Sequence, residues 1–188
     1  MTSTPTQGAP VKLPRFFCCL LVTLLPVQAF AQVPVVSVPS VNLARYSGKW
    51  FEIASFPMFF QRKCVGDTTA EYAPAKKDAI GVINRCRTES GYDEATGTAT
   101  VVDGFGNSRL KVSFFWPFKA DYWVIGLDPD YRWAVVGTPD RKYLWILSRA
   151  PQLAVAETGA ALESARGQGF DTTQLQYTLQ TPTTAISP

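Results

Sequence analysis

Gly48-Lys49-Trp50 opens the first strand-like segment of this chain, and Ser148-Arg149 closes the last segment of the same kind. Eight such segments run from one marker to the other, most of them rich in Val, Ile, Tyr, Phe and Trp, with turn residues between them. Antiparallel strands joined by short links close naturally into a barrel. The chain is therefore predicted to be all-β, an eight-stranded antiparallel up-and-down barrel. The approximate bounds are 49–55, 68–73, 79–87, 97–102, 108–115, 121–127, 133–138 and 143–148.

Further elements are predicted on either side of the barrel. Residues 154–166 are rich in alanine and stop at Gly167, which predicts one C-terminal α-helix packed outside the barrel. Residues 175–178 predict a short ninth strand. Residues 32–41 carry two prolines and are interpreted as an extended lead-in to a barrel domain over 42–180, and 181–188 as a flexible tail.

The first 31 residues have the pattern of a signal peptide. Lys12 and Arg15 precede an apolar run of about a dozen residues, where a membrane-spanning helix needs roughly 20. Ala29-Phe30-Ala31 is a small-x-small cleavage site. Export with cleavage after Ala31 is predicted, and an uncleaved anchor is the alternative. No lipoprotein signal is evident, so a periplasmic or secreted protein is expected, with association to the outer membrane left open.

The charge of the mature chain excludes some classes of function. Removing Lys12 and Arg15 from 18 basic side chains leaves 16, against 15 acidic ones. That balance does not indicate a nucleic-acid partner. The chain has no histidine, the commonest metal ligand and general base. No metal, no cofactor and no catalytic residue is therefore predicted, and Glu52 and Glu71 are expected to form exposed pairs.

Cys64 and Cys86 are the cysteines that remain beyond the signal peptide. An even count in an exported chain predicts one disulfide. It would close a loop of about 23 residues and stabilise the fold by roughly 3 kcal/mol. A free catalytic thiol is the alternative, and titration of thiols separates the two.

The alternating direction of the strands assigns residues to the two ends of the barrel. Gly48, Trp50 and Arg149 meet at one end, where a guanidinium over an indole is worth about 0.5–2 kcal/mol. These three are predicted to form a structural floor. The long link after the first strand lies at the other end, near Cys86, and Cys64 would tie it to the rim. Its large apolar residues are predicted to be a lid: Phe56, Met58, Phe59 and Phe60.

Five motifs, in order and correctly spaced, resemble the lipocalins. They are GKWFEIA (48–54), TAEY (69–72), VINR (82–85), LKVSFF (110–115) and YLWILSR (143–149). Within that family the match over 42–177 is to the bacterial branch, which also resembles apolipoprotein D. The resemblance implies a calyx that stores or transports a small hydrophobic molecule, with fatty acids and lysophospholipids as the expected cargo in cell-envelope lipid maintenance. It implies a carrier rather than an enzyme.

The alternation of side chains along a strand predicts which residues meet the ligand. Leu110 and Phe114 are expected to point inward on the fifth strand, and Asn84 shares the inward face of the third. The resemblance adds inward aromatic residues on the second and sixth strands. Core packing is the alternative for each aromatic residue, and a satisfied buried amide for Asn84. The predicted ligand-binding set is Tyr72, Asn84, Phe114, Trp123 and Trp145.

Other functions remain open at this point. A tetrapyrrole or pigment carrier is one, although the chain offers no histidine for haem iron. A lipocalin-type enzyme acting on a lipid is another. The apolar link at 56–60 also allows contact with a membrane surface or a second copy, so either a monomer or a homodimer is compatible with the sequence.

Overall fold

The computed structural model describes Met1 and residues 33–75 and 79–182. The chain divides into two units, Met1–Ala31 and Gln32–Pro188, and every element below lies in the second. The expected signal peptide therefore falls outside the described residues, apart from Met1, as does the expected tail from 183 onward. Across 33–75 and 79–182, no helix is long and apolar enough to cross a membrane.

The described residues form nine strands, two α-helices and two short 3-10 turns. The helices are α1 (Leu43–Tyr46) and α2 (Val155–Gly167), and the turns are Phe59–Gln61 and Thr172–Gln174. The strands are β1 (Gly48–Ser55), β2 (Gly66–Pro74), β3 (Ala79–Thr88), β4 (Gly91–Val101), β5 (Arg109–Ser113), β6 (Ala120–Leu127), β7 (Trp133–Gly137), β8 (Leu144–Ser148) and β9 (Gln176–Tyr177).

Strands β1 to β8 close into a barrel. Each pairs antiparallel with the next, and β1 pairs with both β2 and β8. Pairing of β1 with β2 extends to Phe51, opposite Thr69, and β9 then pairs with β1 at Ala54 and Ser55. Beyond Phe51, β2 separates from β1. There the Gln180 side chain donates hydrogen bonds to the backbone oxygens of Glu52 in β1 and Thr68 in β2. The predicted eight-stranded up-and-down barrel is confirmed.

Helix α2 packs on the outside of the barrel, against β6 and β7. Its buried residues are two alanines, whose small side chains let the helix backbone come close to the sheet. The predicted outer helix and short ninth strand are both confirmed. We call the buried apolar residues of this helix and of the surface around it the outer cluster: Val35, Ile53, Ala54, Phe56, Ile125, Trp133, Val135, Leu144, Ile146, Ala161, Ala165, Phe170 and Leu175.

Two elements differ from the sequence prediction. Strand β4 begins at Gly91 rather than near residue 97, and it pairs with β3 all the way to Thr88. Residues 91–96 include Gly, Asp and Glu, which disfavour strands, so pairing with β3 outweighs their local preference. Helix α1 was not predicted, because it has a single turn. The Asn42 side chain caps it by accepting a hydrogen bond from the Arg45 backbone N–H at 3.1 Å.

The predicted disulfide between Cys64 and Cys86 is confirmed, with 5.5 Å between the two Cα atoms. It joins the link after β1 to the last part of β3. The start of the expected tail is also held, because the Thr181 backbone N–H donates to the Asp67 carboxylate at 2.6 Å. The C-terminal segment is therefore held against the barrel up to that residue.

Close packing of α2 on the barrel predicts opposite effects for two Gly→Ala substitutions. A methyl group at Gly126, on β6, would overlap with the Ser164 Oγ atom of α2. We expect Gly126→Ala to lower the free energy of unfolding by about 1–3 kcal/mol. Gly159, inside α2, has open space around it, so Gly159→Ala should raise it by about 0.5–1 kcal/mol. Denaturant unfolding measures both, and equal effects would contradict this packing.

Candidate functional site

The inward faces of the strands form a second apolar group, which we call the inner cluster. Its buried members come from α1, all eight barrel strands and the segment before α1. The partly buried residues that pack against it include the aromatic residues Phe114, Tyr122, Tyr131 and Trp145. The buried members are Val41, Tyr46, Trp50, Tyr72, Ile80, Val82, Ala99, Leu110, Val112, Val124, Ala134, Val136 and Leu147.

Trp50 and Arg149 lie together at the closed end, as expected for a floor. The Arg149 guanidinium carbon is 3.9 Å from the centroid of the Trp50 ring. The same guanidinium donates to the backbone oxygens of Lys49 at 2.8 Å and Arg45 at 2.6 Å. Gly48 has a φ of +90°, a conformation that favours glycine, and so lets the backbone turn beneath Arg149. Arg149 thus ties β8 to β1 and α1.

Three tyrosine hydroxyls meet inside the barrel near the floor. The Tyr122 hydroxyl lies 2.7 Å from that of Tyr46 and 2.8 Å from that of Tyr72. Burial raises the pKa of Tyr72 to about 12 and the pKa values of Tyr46 and Tyr122 well above the usual value of 10.0. The phenols are therefore neutral at physiological pH. The deep end of the interior therefore offers uncharged hydroxyls to a ligand.

Asn84 stands on the inward face of β3 with small neighbours on either side. It pairs with Ala70 of β2 and with Ala95 of β4, and residues directly opposite each other share a face. The Asn84 Oδ1 atom is buried and has no hydrogen-bond partner among the described residues. A buried carbonyl oxygen without a donor is costly, by about 1–3 kcal/mol. The wall here has small side chains beside an unused acceptor.

Phe114 and Trp145 line the interior above this level, where both pack against the inner cluster. A methyl group at Gly97 of β4 would come within 2.7 Å of the Phe114 ring, so the ring lies directly over the glycine. Trp145 stacks on Tyr143 with 5.9 Å between ring centroids. Of the predicted ligand-binding set, Tyr72, Asn84, Phe114 and Trp145 therefore face one interior.

The expected inward direction of Trp123 is wrong. Trp123 packs against the outer cluster, and the Arg109 guanidinium carbon lies 3.8 Å from its ring centroid. Its neighbour Tyr122 points inward instead, since it pairs directly with the inward Leu110. The bulge between Val124 and Gly126 also shifts the phase of the strand. The register with β5 therefore identifies Tyr122, and not Trp123, as the inward aromatic residue.

The predicted lid residues separate into three environments. Phe56 belongs to the outer cluster and lies 6.2 Å from Phe170, so its assignment to the lid is corrected. Met58 is buried. Phe59 and Phe60 are exposed and meet edge to face at 5.3 Å. Phe60 also lies 6.0 Å from Tyr143, so this pair contacts the rim next to β8.

A second apolar link lies at the same open end. Strand β5 runs in the same direction as β1, so it also ends at the open end, and β6 begins there. The link between them exposes three aromatic rings, and Trp116 is 91% exposed. We call the exposed aromatic residues of the two links the rim aromatics: Phe59, Phe60, Phe115, Trp116 and Phe118.

A cavity of about 500 Å³ lies beside the rim, where β1 and β2 have separated. The link after β1 and the C-terminal segment form its sides, and Glu52 lies at its base. Glu52 is only 6% exposed, so the expectation of an exposed pair is corrected. Its carboxylate accepts hydrogen bonds from Thr178 Oγ1 at 2.6 Å, Gln61 Nε2 at 2.9 Å and Ser55 Oγ at 3.3 Å.

Sequence reasoning missed Glu52 because its environment comes from distant parts of the chain. Thr178, one of its donors, is 126 residues away. Burial raises the pKa of Glu52, and the three hydrogen bonds oppose that rise only in part. The available signal was the alternation of side chains along β1. Glu52 lies two residues after Trp50, so it faces inward if Trp50 forms the floor.

The geometry can be compared with known proteins. A lipocalin-like domain model matches residues 41–180. Temperature-induced lipocalin-1 of Arabidopsis thaliana is 38% identical over 78% of this chain and 83% of its own length. The outer membrane lipoprotein Blc of Vibrio cholerae is 38% identical over 76% of this chain and 85% of its own. Insecticyanin from the tobacco hornworm Manduca sexta superposes with a TM-score of 0.66 at 19% identity, over 79% of this chain and 85% of that structure, which shows the fold alone.

The buried carboxyl of Glu52 predicts a pH-dependent loss of stability. Because its pKa is raised on folding, its contribution is fully present below the ordinary value near 4.5 and is lost as pH rises through the raised pKa. Glu52→Gln should remove this loss. As pH rises, the free energy of unfolding of the wild type should fall relative to that of the variant, by about 1.4 kcal/mol for each unit by which the pKa is raised.

Denaturant unfolding at pH 4 and pH 8 measures the difference. Glu163→Gln, on the exposed side of α2, is the matched control and should keep the wild-type profile. Parallel profiles for the wild type and Glu52→Gln would contradict the burial of an acid at this position.

Proposed function

Since this chain belongs to the lipocalin family, as its motifs predicted, we propose that it carries single-chain lipids, fatty acids or lysophospholipids, for maintenance of the cell envelope. Members of the family bind small hydrophobic ligands and are generally binding proteins rather than enzymes.

The observation that carries the proposal is the unused acceptor on the inner wall. The Asn84 Oδ1 atom is buried without a donor, between two alanines. A hydroxyl of a lipid head group would supply the missing hydrogen bond, while the acyl chain contacts Phe114 and Trp145. Tyr72 would meet the buried end of the ligand. A ligand with a polar head and one apolar tail fits this order of residues.

The free energy of burial supports a single-chain ligand. An acyl chain of about 16 carbons gains on the order of 13 kcal/mol when it is buried at ~0.8 kcal/mol per methylene. Lost motion offsets much of that gain, which leaves micromolar to nanomolar binding. An eight-stranded barrel holds roughly one small ligand. A bilayer also releases a single-chain lipid more easily than a two-chain lipid.

The rim aromatics support loading at a membrane surface. Three of them come from one link and two from the other, and all five lie around the open end of the barrel. Exposed apolar patches of this kind mark interaction sites, and aromatic residues favour the membrane interface. Contact with a bilayer would bring the opening to the lipid that enters it. Export is part of the same proposal, with a mature chain that starts at Gln32.

Asn84→Leu should change stability and affinity in opposite directions. Loss of an unpaired buried amide should raise the free energy of unfolding by about 1 kcal/mol. The affinity for lysophospholipid should fall by roughly tenfold, which corresponds to about 1.4 kcal/mol. Denaturant unfolding and native mass spectrometry with added lysophospholipid measure the two effects. If stability rises while affinity is unchanged, Asn84 does not contact the ligand.

Two tryptophans that face opposite sides of the barrel provide a matched pair. Trp145→Ala removes an inward ring, and the loss of about 1.5–3 kcal/mol of burial should weaken fatty-acid binding roughly 10- to 100-fold. Trp123→Ala removes an outward ring of the same size and should leave affinity within about twofold. Circular dichroism checks that both variants fold. Equal losses of affinity would contradict the assignment of the inner wall.

Serine at all three exposed aromatic residues of the β5–β6 link should weaken membrane contact. We expect Phe115→Ser/Trp116→Ser/Phe118→Ser to reduce cosedimentation with phosphatidylethanolamine/phosphatidylglycerol vesicles at least tenfold. Because the contact is apolar, wild-type binding should persist in 0.5 M salt. Val155→Ser, at an exposed apolar residue on α2, is the control. Binding that disappears in salt, or survives the triple substitution, would contradict contact through this link.

A further inference from the structure

The cavity beside the rim adjoins the inner wall proposed to hold the acyl chain, because Glu52 pairs with the inward-facing Leu147. Its lining comes from β1, the start of β2, the link between them and the C-terminal segment, and includes none of the predicted wall residues. Exposed side chains, among them Phe59 and Leu179, stand at its border, so the cavity is reached from solvent. At about 500 Å³ it has room for a small organic group.

The base of this cavity has negative charge and no positive partner. Glu52 is 6% exposed, and no Lys or Arg of the described residues lies within 4.0 Å of its carboxylate. Its three hydrogen bonds come from neutral donors. Buried carboxylates are usually paired with a cation, because removing a charge from water is costly.

A second acceptor at the same base is unused. Gln61 donates through Nε2 to Glu52, but its Oε1 atom is buried without a hydrogen-bond partner among the described residues. One amide group thus connects the buried carboxylate to an acceptor that lacks a donor. A ligand that carries both a positive charge and N–H donors would satisfy both groups at once.

We propose that this cavity binds the ammonium group of a primary amine, either a free amine or the ethanolamine head group of a lipid. A quaternary ammonium carries the charge but no N–H, so it cannot donate to Gln61 Oε1. An anion is repelled by Glu52. Met58, Phe59 and Leu179 give the cavity an apolar side for the carbon chain of the ligand, and the exposed Arg62 at its border suits the phosphate of a head group.

The test is calorimetric titration of the mature, disulfide-bonded chain with hexylammonium and with hexyltrimethylammonium at pH 7.5. We expect hexylammonium to bind at least tenfold more tightly. Glu52→Gln should abolish that preference, whereas Glu163→Gln should retain it. If Glu52→Gln does not fold by circular dichroism, Gln61→Leu, on the link, replaces it and should reduce the preference at least threefold. Equal binding of the two ammonium ions, or a preference that survives these substitutions, overturns the proposal.

A second pair of titrations separates the two sources of the amine. Lysophosphatidylethanolamine and lysophosphatidylcholine with the same acyl chain differ only in N-methylation. If the source is a lipid head group, the wild type prefers the ethanolamine lipid and Glu52→Gln loses that preference alone. If the source is a free amine, both lipids bind alike while hexylammonium keeps its advantage. Binding of the choline lipid reports on the barrel itself, so failure of lipid carriage is distinguished from failure of the ammonium site.

Discussion

The change of partner along β1 is the constraint on which the remaining structure depends. The first half of β1 pairs with β2 and closes the barrel, whereas its last residues pair with β9. Arg149 holds the closing half in place through the Trp50 ring and three backbone oxygens. Once β2 leaves β1, the gap becomes a cavity, Glu52 is buried at its base, and the link tied by the disulfide covers its side.

Much of the fold was predictable, because short links and alternating direction leave few arrangements for eight strands. Direction alone brought Trp50 and Arg149 to one end and the Phe-rich link to the other. The first half of β4 was not predictable from its composition, since residues 91–96 become a strand only by pairing with β3. Helix α1 depends on one capping contact from Asn42, a signal too short to recognise.

The site was predictable only where one face of a strand is polar. On β5, Lys111 and Ser113 identify the outer face, so Phe114 could be placed inward. On β6, α2 covers the outer face, and both faces are apolar; alternation therefore could not distinguish Trp123 from Tyr122. Alternation with Trp50 could have placed Glu52 on the inward face, but its burial also requires a C-terminal segment more than a hundred residues away.

The interior, the rim and the side cavity suit one class of ligand, an amphipathic molecule with a single chain. Extraction and identification of what copurifies with the protein tests this most directly. A fatty acid or lysophospholipid, at about one molecule per chain for a barrel of this size, is the expected result. A chain that copurifies only with a tetrapyrrole or a two-chain lipid, or that remains empty when single-chain lipids are supplied, would contradict lipid carriage by this barrel.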